Sequence, residues 1–248
     1  MGARVIVITS GKGGVGKTTT TANIGAGLAE KGHKVLLIDT DIGLRNLDVV
    51  MGLENRIVYD LVDVIEEKCR ISQAFIKDKR CPNLVLLPAA QIRDKNDVSP
   101  EQMKNLVDSL KTSFDYILID CPPSLGILTL NGLAAADEVF IPLQCEYFAL
   151  EGLTLLLQTV KRVQEKINPR LKIGGIFFTM YDSRTKLAQE VVQQVTAYFK
   201  DRVCSTIIPR NVRLSEAPSH GLPICKYDDS CIGARSYAKL AQEVLDRA

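Results

Sequence analysis

The stretch that decides the fold is "GKGGVGKT", Gly11 to Thr18, which follows the apolar run "RVIVIT" (4–9) and opens a helix-like segment. It matches the pattern G-x-x-x-x-G-K-[ST] in full, and it lies between a strand and a helix as that motif requires. Glycines let such a loop curl so that its N–H groups point at phosphate oxygens. The N-terminus of the following helix adds favourable positive potential. The stretch therefore predicts a phosphate-binding loop.

The loop positions have separate predicted tasks. Lys17 is expected to bind the β- and γ-phosphates of a nucleotide, and the Thr18 hydroxyl is expected to bind Mg²⁺. The predicted nucleotide-binding residues of the loop are Gly11, Lys12, Gly13, Gly14, Val15, Gly16, Lys17, Thr18 and Thr19. Lys12 is a second lysine, at a position from which a side chain cannot easily fold back onto phosphates held by its own backbone. It can reach outward instead.

Aspartates end two of the apolar runs. "LLID" ends at Asp39, Asp41 follows two residues later, and "YILID" ends at Asp120. A carboxylate at the end of an apolar strand beside a phosphate-binding loop is the Walker B arrangement, which holds Mg²⁺, here through water. Any one of these aspartates could instead cap the loop or helix that follows it. The three together favour a metal site at Asp39 and Asp120.

Apolar runs alternate with helix-period segments along the whole chain. Strands are predicted at 4–9, 34–39, 83–88, 115–120, 138–143, 172–180 and 203–209, and helices at 17–31, 100–112, 150–167 and 186–199. The strand runs lack polar alternation, as expected for parallel strands buried on both faces. The alternation predicts an α/β fold, with one doubly wound, mostly parallel sheet flanked by helices. We expect a single domain over 1–248.

The composition argues against a membrane-spanning, secreted, disulfide-stabilised or zinc-binding protein. With 46% hydrophobic and 24% charged residues, the chain of 248 residues has an ordinary globular composition. No apolar run approaches the length of a membrane span, and the start shows no secretory signal. The seven cysteines have no C-x-x-C spacing, so reduced thiols are expected rather than a disulfide framework or zinc site. Residues 151–248 hold 15 Lys+Arg against 10 Asp+Glu, a basic balance that an anionic partner or an ordinary surface explains equally well.

The residues around Lys12 resemble those of a known family. "KGGVGKTT" (12–19) is similar to the deviant Walker A motif of the ParA/MinD ATPases, with Lys12 as the signature lysine. The resemblance covers the whole chain. The stretches 39–65 and 86–103 resemble MinD, whereas 120–133, 142–153, 179–185 and 207–224 resemble ParA/Soj. The mixture fits a natural intermediate, an inferred ancestor or a chimera.

The resemblance implies a mechanism and assigns residues to it. Two subunits sandwich two ATP molecules with Mg²⁺, and Lys12 of each crosses to its partner's phosphates. Lys12, Lys17 and Asp41 are the implied catalytic residues, with Asp41 positioning the attacking water. Asp39 matches the first aspartate of the family's D-x-D motif, of which Asp41 is the second. Asp120 matches the family's aspartate near Mg²⁺. The implied adenine-binding residues are Met180, Pro209 and Asn211, and the implied residues for non-specific DNA binding are Arg184 and Arg213.

The two branches differ in the surface that they bind. MinD binds membrane through a basic amphipathic helix at its C-terminus, whereas the final segment here has one apolar stripe and a face of mixed charge. Its stripe residues are Tyr237, Leu240, Ala241, Val244 and Leu245. This pattern is typical of a helix that packs on the core. We therefore expect no MinD-type membrane anchor and no membrane partner.

The DNA hypothesis rests on the basic half of the chain. Its basic residues include Lys161, Arg162, Lys166, Arg170, Lys172, Arg184, Lys186, Lys200, Arg202, Arg210 and Arg213. The sequence alone favours an ordinary solvated surface for 161–172 and DNA contact for Arg184 and Arg213. No helix-turn-helix or zinc pattern predicts base readout.

The sequence thus predicts a ParA/Soj-type ATPase that dimerises with ATP, binds DNA non-specifically, responds to a ParB-like partner and works in the cytoplasm on the nucleoid. Three alternatives remain at this stage. One is a MinD-type membrane switch, and another is a metabolic P-loop enzyme or an iron–sulfur carrier of the same superfamily. The third is an inactive or engineered chain.

Overall fold

The structure is a computed structural model that describes residues 2–43, 46–94 and 96–247. Positions 44 and 45 of the MinD-like stretch 39–65, and position 95 of the stretch 86–103, lie outside the described residues.

One sheet of seven strands forms the centre of the molecule, in the order β3-β4-β2-β5-β1-β6-β7. The strands are β1 (Arg4–Ile8), β2 (Val35–Asp39), β3 (Ile76–Lys77), β4 (Leu84–Leu87), β5 (Tyr116–Asp120), β6 (Glu138–Gln144) and β7 (Lys172–Thr179). All neighbouring pairs are parallel except β3 with β4. The predicted fold class is confirmed. The two-residue β3 was not predicted, because two residues are too few to show a period.

Helices cover both faces of the sheet. They are α1 (Lys17–Glu30), α2 (Leu47–Val50), α3 (Leu61–Ile65), α4 (Ile71–Ala74), α5 (Pro100–Leu110), α6 (Ile127–Ala135), α7 (Ala149–Lys166), α8 (Lys186–Phe199), α9 (Val212–Glu216), α10 (Ile224–Tyr227) and α11 (Ile232–Asp246). Short 3₁₀ helices cover Glu54–Arg56, Lys200–Arg202 and Ala217–His220. The four predicted helices are α1, α5, α7 and α8, with ends that differ by two residues at most.

The strands are buried because each presents apolar side chains to both helix layers. One core cluster includes Val5 and Val7 of β1, and the other includes Ile6 and Ile8 of the same strand. Alternate residues of a strand point to opposite faces, so a continuous apolar run fills two cores. This geometry brings the carboxyl ends of the central strands to a single edge of the sheet, where ligands of such folds bind.

The predicted strand at 203–209 is wrong. The segment runs beside β7 but makes only isolated parallel bridges, Val203 with Ile176 and Pro209 with Tyr181. Its central amides turn elsewhere: the N–H groups of Ser205 and Thr206 donate to the Glu243 carboxylate of α11, at 2.7 and 2.9 Å. A side chain thus takes the donors that a strand ladder would need.

The final helix α11 packs on the core as predicted. Tyr237, Leu240, Ala241 and Val244 are all buried, and the helix lies against α1. A Cβ built on Gly27 of α1 would lie 2.9 Å from the Ala241 Cβ, so the two helices are in close contact. The apolar face of α11 is therefore occupied by the protein itself.

Candidate nucleotide and metal site

The loop between β1 and α1 has the backbone shape that the glycine pattern predicts. Gly14 and Gly16 have φ angles of 74° and 87°, in the left-handed region that glycine adopts at little cost. Gly16 is the N-cap of α1, and no side chain caps that end of the helix. The loop and the first turn of α1 thus present backbone donors to one concave surface, which suits an anion.

A second helix closes on the loop from behind. A Cβ built on Gly11 would lie 1.9 Å from the backbone oxygen of Gly152 in α7, a separation that no side chain could tolerate. The loop and α7 are therefore in direct backbone contact. Gly152 was not identified from the sequence, because contact between distant segments leaves no local pattern.

Lys17 points into the concave side of the loop and is buried. Its Nζ donates to the Ser10 hydroxyl and to the backbone oxygen of Lys12, both at 3.3 Å. Burial lowers the pKa of Lys17, and the negative charge of Asp120 opposes that shift. Both contacts are long, so the ammonium is a strong donor poised for a better acceptor.

Two strand-end aspartates lie side by side under the loop. Asp39 of β2 and Asp120 of β5 occupy paired positions in the sheet, and both are buried. Burial raises the pKa of each carboxyl, and the charge of Asp120 raises the pKa of Asp39 further. A divalent cation beside such a pair relieves both effects, because it stabilises the ionised forms.

Asp120 is held against the first turns of α1. Its Oδ1 accepts from the Thr21 hydroxyl at 3.1 Å, and the neighbouring Thr18 hydroxyl lowers the pKa of the same carboxyl. Thr18 and Asp120, two of the three predicted metal residues, are therefore close together. With Mg²⁺ bound, Thr18 would contact the metal directly and Asp120 would act through water, as the sequence predicted.

The Asp39 carboxylate also holds the loop that follows β2. Its Oδ1 accepts from the N–H of Asp41 at 2.9 Å and its Oδ2 from the N–H of Leu47 at 3.2 Å. Asp39 therefore holds the loop that carries Asp41, and Asp41 itself accepts from the Asn46 amide at 2.9 Å. Asn46 was not identified from the sequence. The capping alternative is correct for Asp39, whose carboxylate organises this loop whether or not it also faces the metal.

The residues present fit Mg²⁺ bound together with a nucleotide rather than alone. Among the described residues, no group of three or more His, Cys, Asp or Glu side chains is arranged to hold a metal ion. Mg²⁺ commonly keeps several waters and takes phosphate oxygens with one or two protein ligands. Thr18 and Asp120 supply that small protein share.

A cavity of about 240 Å³ adjoins the loop on the other side. All three residues implied for adenine binding, Met180, Pro209 and Asn211, line it, together with Gly16 and Thr19 of the loop and helix α1. Met180 also borders the phosphate side, and its φ of 50° is unusual for a residue with a side chain. The Asn211 Oδ1 atom is buried without a hydrogen-bond partner among the described residues. The wall therefore contains one unused acceptor.

Tyr237 also lines this cavity, which we call the base cavity. Its hydroxyl hydrogen-bonds to the Thr20 hydroxyl of α1 at 3.1 Å, and both side chains are buried. The contact ties the final helix to the helix that follows the phosphate loop. The sequence analysis placed Tyr237 only on an apolar stripe, and its polar contact was not predicted.

Lys12 points away from the phosphate cavity. Its Nζ lies 2.5 Å from Glu146 Oε2, and the side chains are 39% and 46% exposed. The other oxygen of Glu146 accepts from the Gln144 amide at 2.5 Å. The structure thus separates the two lysines of the loop, since Lys17 faces inward and Lys12 outward. Glu146 was not identified from the sequence.

Arg184 and Arg213 lie on the surface. Arg184 pairs with Asp182 at 2.7 Å, and its guanidinium lowers the pKa of that carboxyl. Arg213 on α9 pairs with Glu216 at 2.9 Å and approaches Asp228 at 3.5 Å. Both side chains are exposed, but acidic neighbours offset their charge. The sequence did not predict these pairs.

None of the helices in the described part of the chain is long and apolar enough to cross a membrane.

A strand–glycine loop–helix unit with a buried lysine, beside carboxylates at the ends of two adjacent parallel strands, defines a P-loop nucleoside triphosphatase. Residues 3–173 match the family described as AAA domain. The chromosome-partitioning ATPase Soj of Treponema pallidum is 57% identical over 253 residues, covering 98% of this chain and 98% of that protein. The chain belongs to the ParA/MinD family of P-loop ATPases. This family assignment was predicted from the sequence and is confirmed.

Two solved structures share the fold over nearly the whole chain. The cell division ATPase MinD of Pyrococcus furiosus has a TM-score of 0.84 at 29% identity, covering 100% of both chains. Cobyrinic acid a,c-diamide synthase of Mycobacterium smegmatis, with bound ADP and magnesium, has a TM-score of 0.80 at 34% identity, covering 98% of this chain and 94% of that one. The protein is an ATPase, and ATP and Mg²⁺ are its ligands, as the sequence predicted.

Proposed function

We propose that this protein is a Soj/ParA-type switch ATPase of chromosome or plasmid partitioning, with 1–248 as a single domain. The observation that carries the proposal is the opposite orientation of the two loop lysines. Lys17 is buried and points at the phosphate cavity, whereas Lys12 is half-exposed and points outward. An outward cation at this loop is useful to a second subunit that faces the first across the nucleotides.

The ion pair between Lys12 and Glu146 is weak enough for Lys12 to exchange it for contacts with phosphates. Exposed ion pairs contribute about 0–1 kcal/mol, because water screens both charges. A partner subunit's phosphates carry more charge and are desolvated in the sandwich, so Lys12 gains by leaving Glu146. ATP binding thereby favours the dimer, and Lys12 neutralises negative charge there as an arginine finger does.

The hydrolytic residues follow from the same geometry. Bound ATP with Mg²⁺ supplies the phosphoryl group and the charge that polarises it. Lys17 holds the phosphates, and Asp41, positioned by Asn46 and by the loop that Asp39 anchors, orients the attacking water. Thr18 and Asp120 hold the metal side of the site. Removal of the Asp41 carboxylate should therefore slow hydrolysis without removing phosphate binding.

The base cavity suits adenine through Asn211. Its unpartnered Oδ1 can accept from an exocyclic amino group, which adenine has at the position where guanine has a carbonyl. Met180 and Pro209 supply apolar surface on either side.

The ATP-bound dimer is proposed to bind double-stranded DNA non-specifically, to release it after hydrolysis stimulated by a ParB-like partner, and to work in the cytoplasm on the nucleoid. The identity to Soj supports this assignment. DNA contacts by Arg184 and Arg213 are part of the proposal. Because both are paired with acids, their net contribution is expected to be smaller than that of free arginines.

The MinD-type membrane switch is the second candidate, and the fold match to MinD favours it. The helix α11 itself gives no support to it, because a helix that binds a membrane surface needs a free apolar face and that of α11 is buried. We therefore place the Soj/ParA function first.

The test uses Asp41→Ala, with Asp229→Ala as a matched control at an exposed aspartate. We expect Asp41→Ala to reduce ATP hydrolysis by at least about tenfold and to accumulate a dimer with ATP in size-exclusion chromatography with light scattering. The control should behave as the wild type. Hydrolysis by Asp41→Ala at the wild-type rate would remove Asp41 from the mechanism.

Co-sedimentation with plasmid DNA and with anionic liposomes, each with ATP or ADP, tests the bound surface. ATP-dependent binding to DNA alone supports the ParA-type function. Binding to liposomes alone would favour the MinD-type function instead.

A further inference from the structure

A group of exposed cations lies at the end of the sheet opposite the nucleotide loop. The group consists of Lys166 at the end of α7, Arg170 in the following turn, Lys172 at the start of β7, and Lys200 and Arg202 in the 3₁₀ helix after α8. We call it the basal patch. The 3₁₀ helix contacts β7, and Val203 bridges to Ile176, so these segments meet at one edge.

The basal patch differs from Arg184 and Arg213 in its electrostatics. Within residues 2–43, 46–94 and 96–247, no member of the patch forms an ion pair, whereas Arg184 and Arg213 each pair with a carboxylate. Two acidic residues, Glu165 and Asp201, are exposed on the same segments. Counted on these segments alone, the five cations and two acids give a net charge of +3, and a positive surface attracts a polyanion.

The backbone of Lys200 supplies a second, independent observation. Lys200 is the C-cap of α8 and has φ 47° and ψ −118°, a conformation that disfavours a side chain and suits glycine. Glycine is the commonest residue at such helix ends. Position 200 is a lysine although glycine would be more stable there. Such a cost in stability is expected if the lysine side chain contributes to binding at the surface.

We propose that the basal patch is a second binding surface for the phosphate backbone of double-stranded DNA. The proposal rests on the DNA-binding function proposed above and adds a location to it. β7 runs eight residues from Lys172 to Thr179, so the patch lies roughly 25 Å from the nucleotide edge. A dimer that buries its nucleotide faces leaves both basal patches exposed, one on each side of the assembly.

DNA fits the patch better than a membrane does. Binding in a membrane interface needs a helix with a free apolar face. Val160 and Val163 of α7 and Val191 and Val195 of α8 are buried in the core, whereas Leu155, Ile167 and Tyr198 on or beside these helices are exposed. Ile167 and Tyr198 belong to separate segments of the chain, so the exposed apolar side chains at the patch do not form one helix stripe. Phosphates require only charge and hydrogen-bond donors.

The test compares two triple variants of the full-length protein. The first, Lys166→Gln/Arg170→Gln/Arg202→Gln, neutralises three charges of the patch. The control, Lys77→Gln/Lys79→Gln/Lys239→Gln, neutralises three other exposed lysines that form no ion pair within the described ranges, two of them in or beside β3 at the opposite edge of the sheet. The probe is a fluorescent duplex of mixed sequence, titrated at several salt concentrations with a non-hydrolysable ATP analogue and Mg²⁺.

Each phosphate contact contributes about 0.9 to the slope of log affinity against log salt, so the patch variant should lose up to about 2.7 of that slope. The control should stay within about 0.9 of the wild-type slope. Equal losses in both variants would mean that only total charge matters, which would overturn the proposal. A wild-type slope in the patch variant would also overturn it.

The variant Lys200→Gly separates DNA binding from stability, because the substitution should weaken DNA binding and stabilise the fold. Relief of the backbone should raise the melting temperature by about 2 °C or more, while DNA affinity falls. A variant that is more stable and binds DNA as the wild type does would remove Lys200 from the surface. If the wild type itself fails to bind DNA with nucleotide, the proposed function fails. If it binds DNA and the patch variant binds equally, only the basal patch fails.

Discussion

The hydrogen bond between Tyr237 and Thr20 gives the most quantitative prediction. Both hydroxyls are buried, and the structure describes no other partner for either oxygen. Tyr237→Phe leaves the Thr20 hydroxyl buried without a partner, which costs about 1–3 kcal/mol. Thr20→Val leaves the Tyr237 hydroxyl in the same state. Burial raises the pKa of Tyr237 to about 12, so the bond is expected to persist across the physiological pH range.

Each single variant should therefore lose about 1–3 kcal/mol of unfolding free energy, which lowers the melting temperature by about 2–10 °C in a chain of this size. The double variant removes both hydroxyls and leaves no orphaned group. Its loss should be smaller than the sum of the two single losses by about 1 kcal/mol or more.

Urea unfolding of the wild type and the three variants measures this coupling. The thermal shift produced by saturating ADP is the control, and it should be retained in Tyr237→Phe because the ring still lines the base cavity. Additive losses within about 0.3 kcal/mol would refute the reasoning, since they would show that the two side chains do not interact.

Three further predictions test the site and the DNA surface. Asp120→Asn should raise the melting temperature of the nucleotide-free protein more at pH 8 than at pH 6, while Mg²⁺-dependent stabilisation by ATP is lost. Burial raises the pKa of Asp120, so the wild type loses stability as pH rises through that pKa. The variant has no carboxyl to ionise and does not lose stability in this way. Thermal melts at both pH values measure the difference. Gly11→Ala should abolish nucleotide binding or folding, whereas Gly152→Ala, whose Cβ would meet its neighbours at 3.4 Å or more, should be nearly neutral in nucleotide titrations and thermal melts. Arg184→Glu should weaken DNA binding without loss of ATP-driven dimerisation, and Asp182→Asn should strengthen it by freeing that arginine. Unchanged DNA affinity in both variants at low salt would remove Arg184 from the DNA surface.

The sequence predicted those parts of the protein that depend on local pattern. The motif from Gly11 to Thr18 specified the loop, the helix start and Lys17, because spacing, chain turn and chemistry coincide within eight residues. Apolar runs specified six of the strands, since burial on both faces leaves a continuous signal. The helix α5 begins at Pro100 as predicted, and there Ser99 and Gln102 exchange side-chain to backbone hydrogen bonds.

The remaining features depend on contacts between distant segments. The segment 203–209 looks like a strand in isolation, but Glu243 takes its central amides. The contacts of Lys12 with Glu146 and of Gly11 with Gly152 join residues more than 130 positions apart. The acidic partners of Arg184 and Arg213 were visible as residues in the sequence, but their geometry was not. Such pairings arise from the folded topology, which no local period records.

The two edges of the sheet have a consequence for aggregation. At one edge, β3 is only two residues long. At the other, the segment 203–209 lies against β7, where Cys204 and Ile208 donate to β7 carbonyls and Glu243 satisfies the amides between them. Neither edge offers a long row of free backbone groups in the described part of the chain, so strand addition by a second molecule has little to pair with. By accepting from the Ser205 and Thr206 N–H groups, Glu243 limits strand addition at this edge of the sheet.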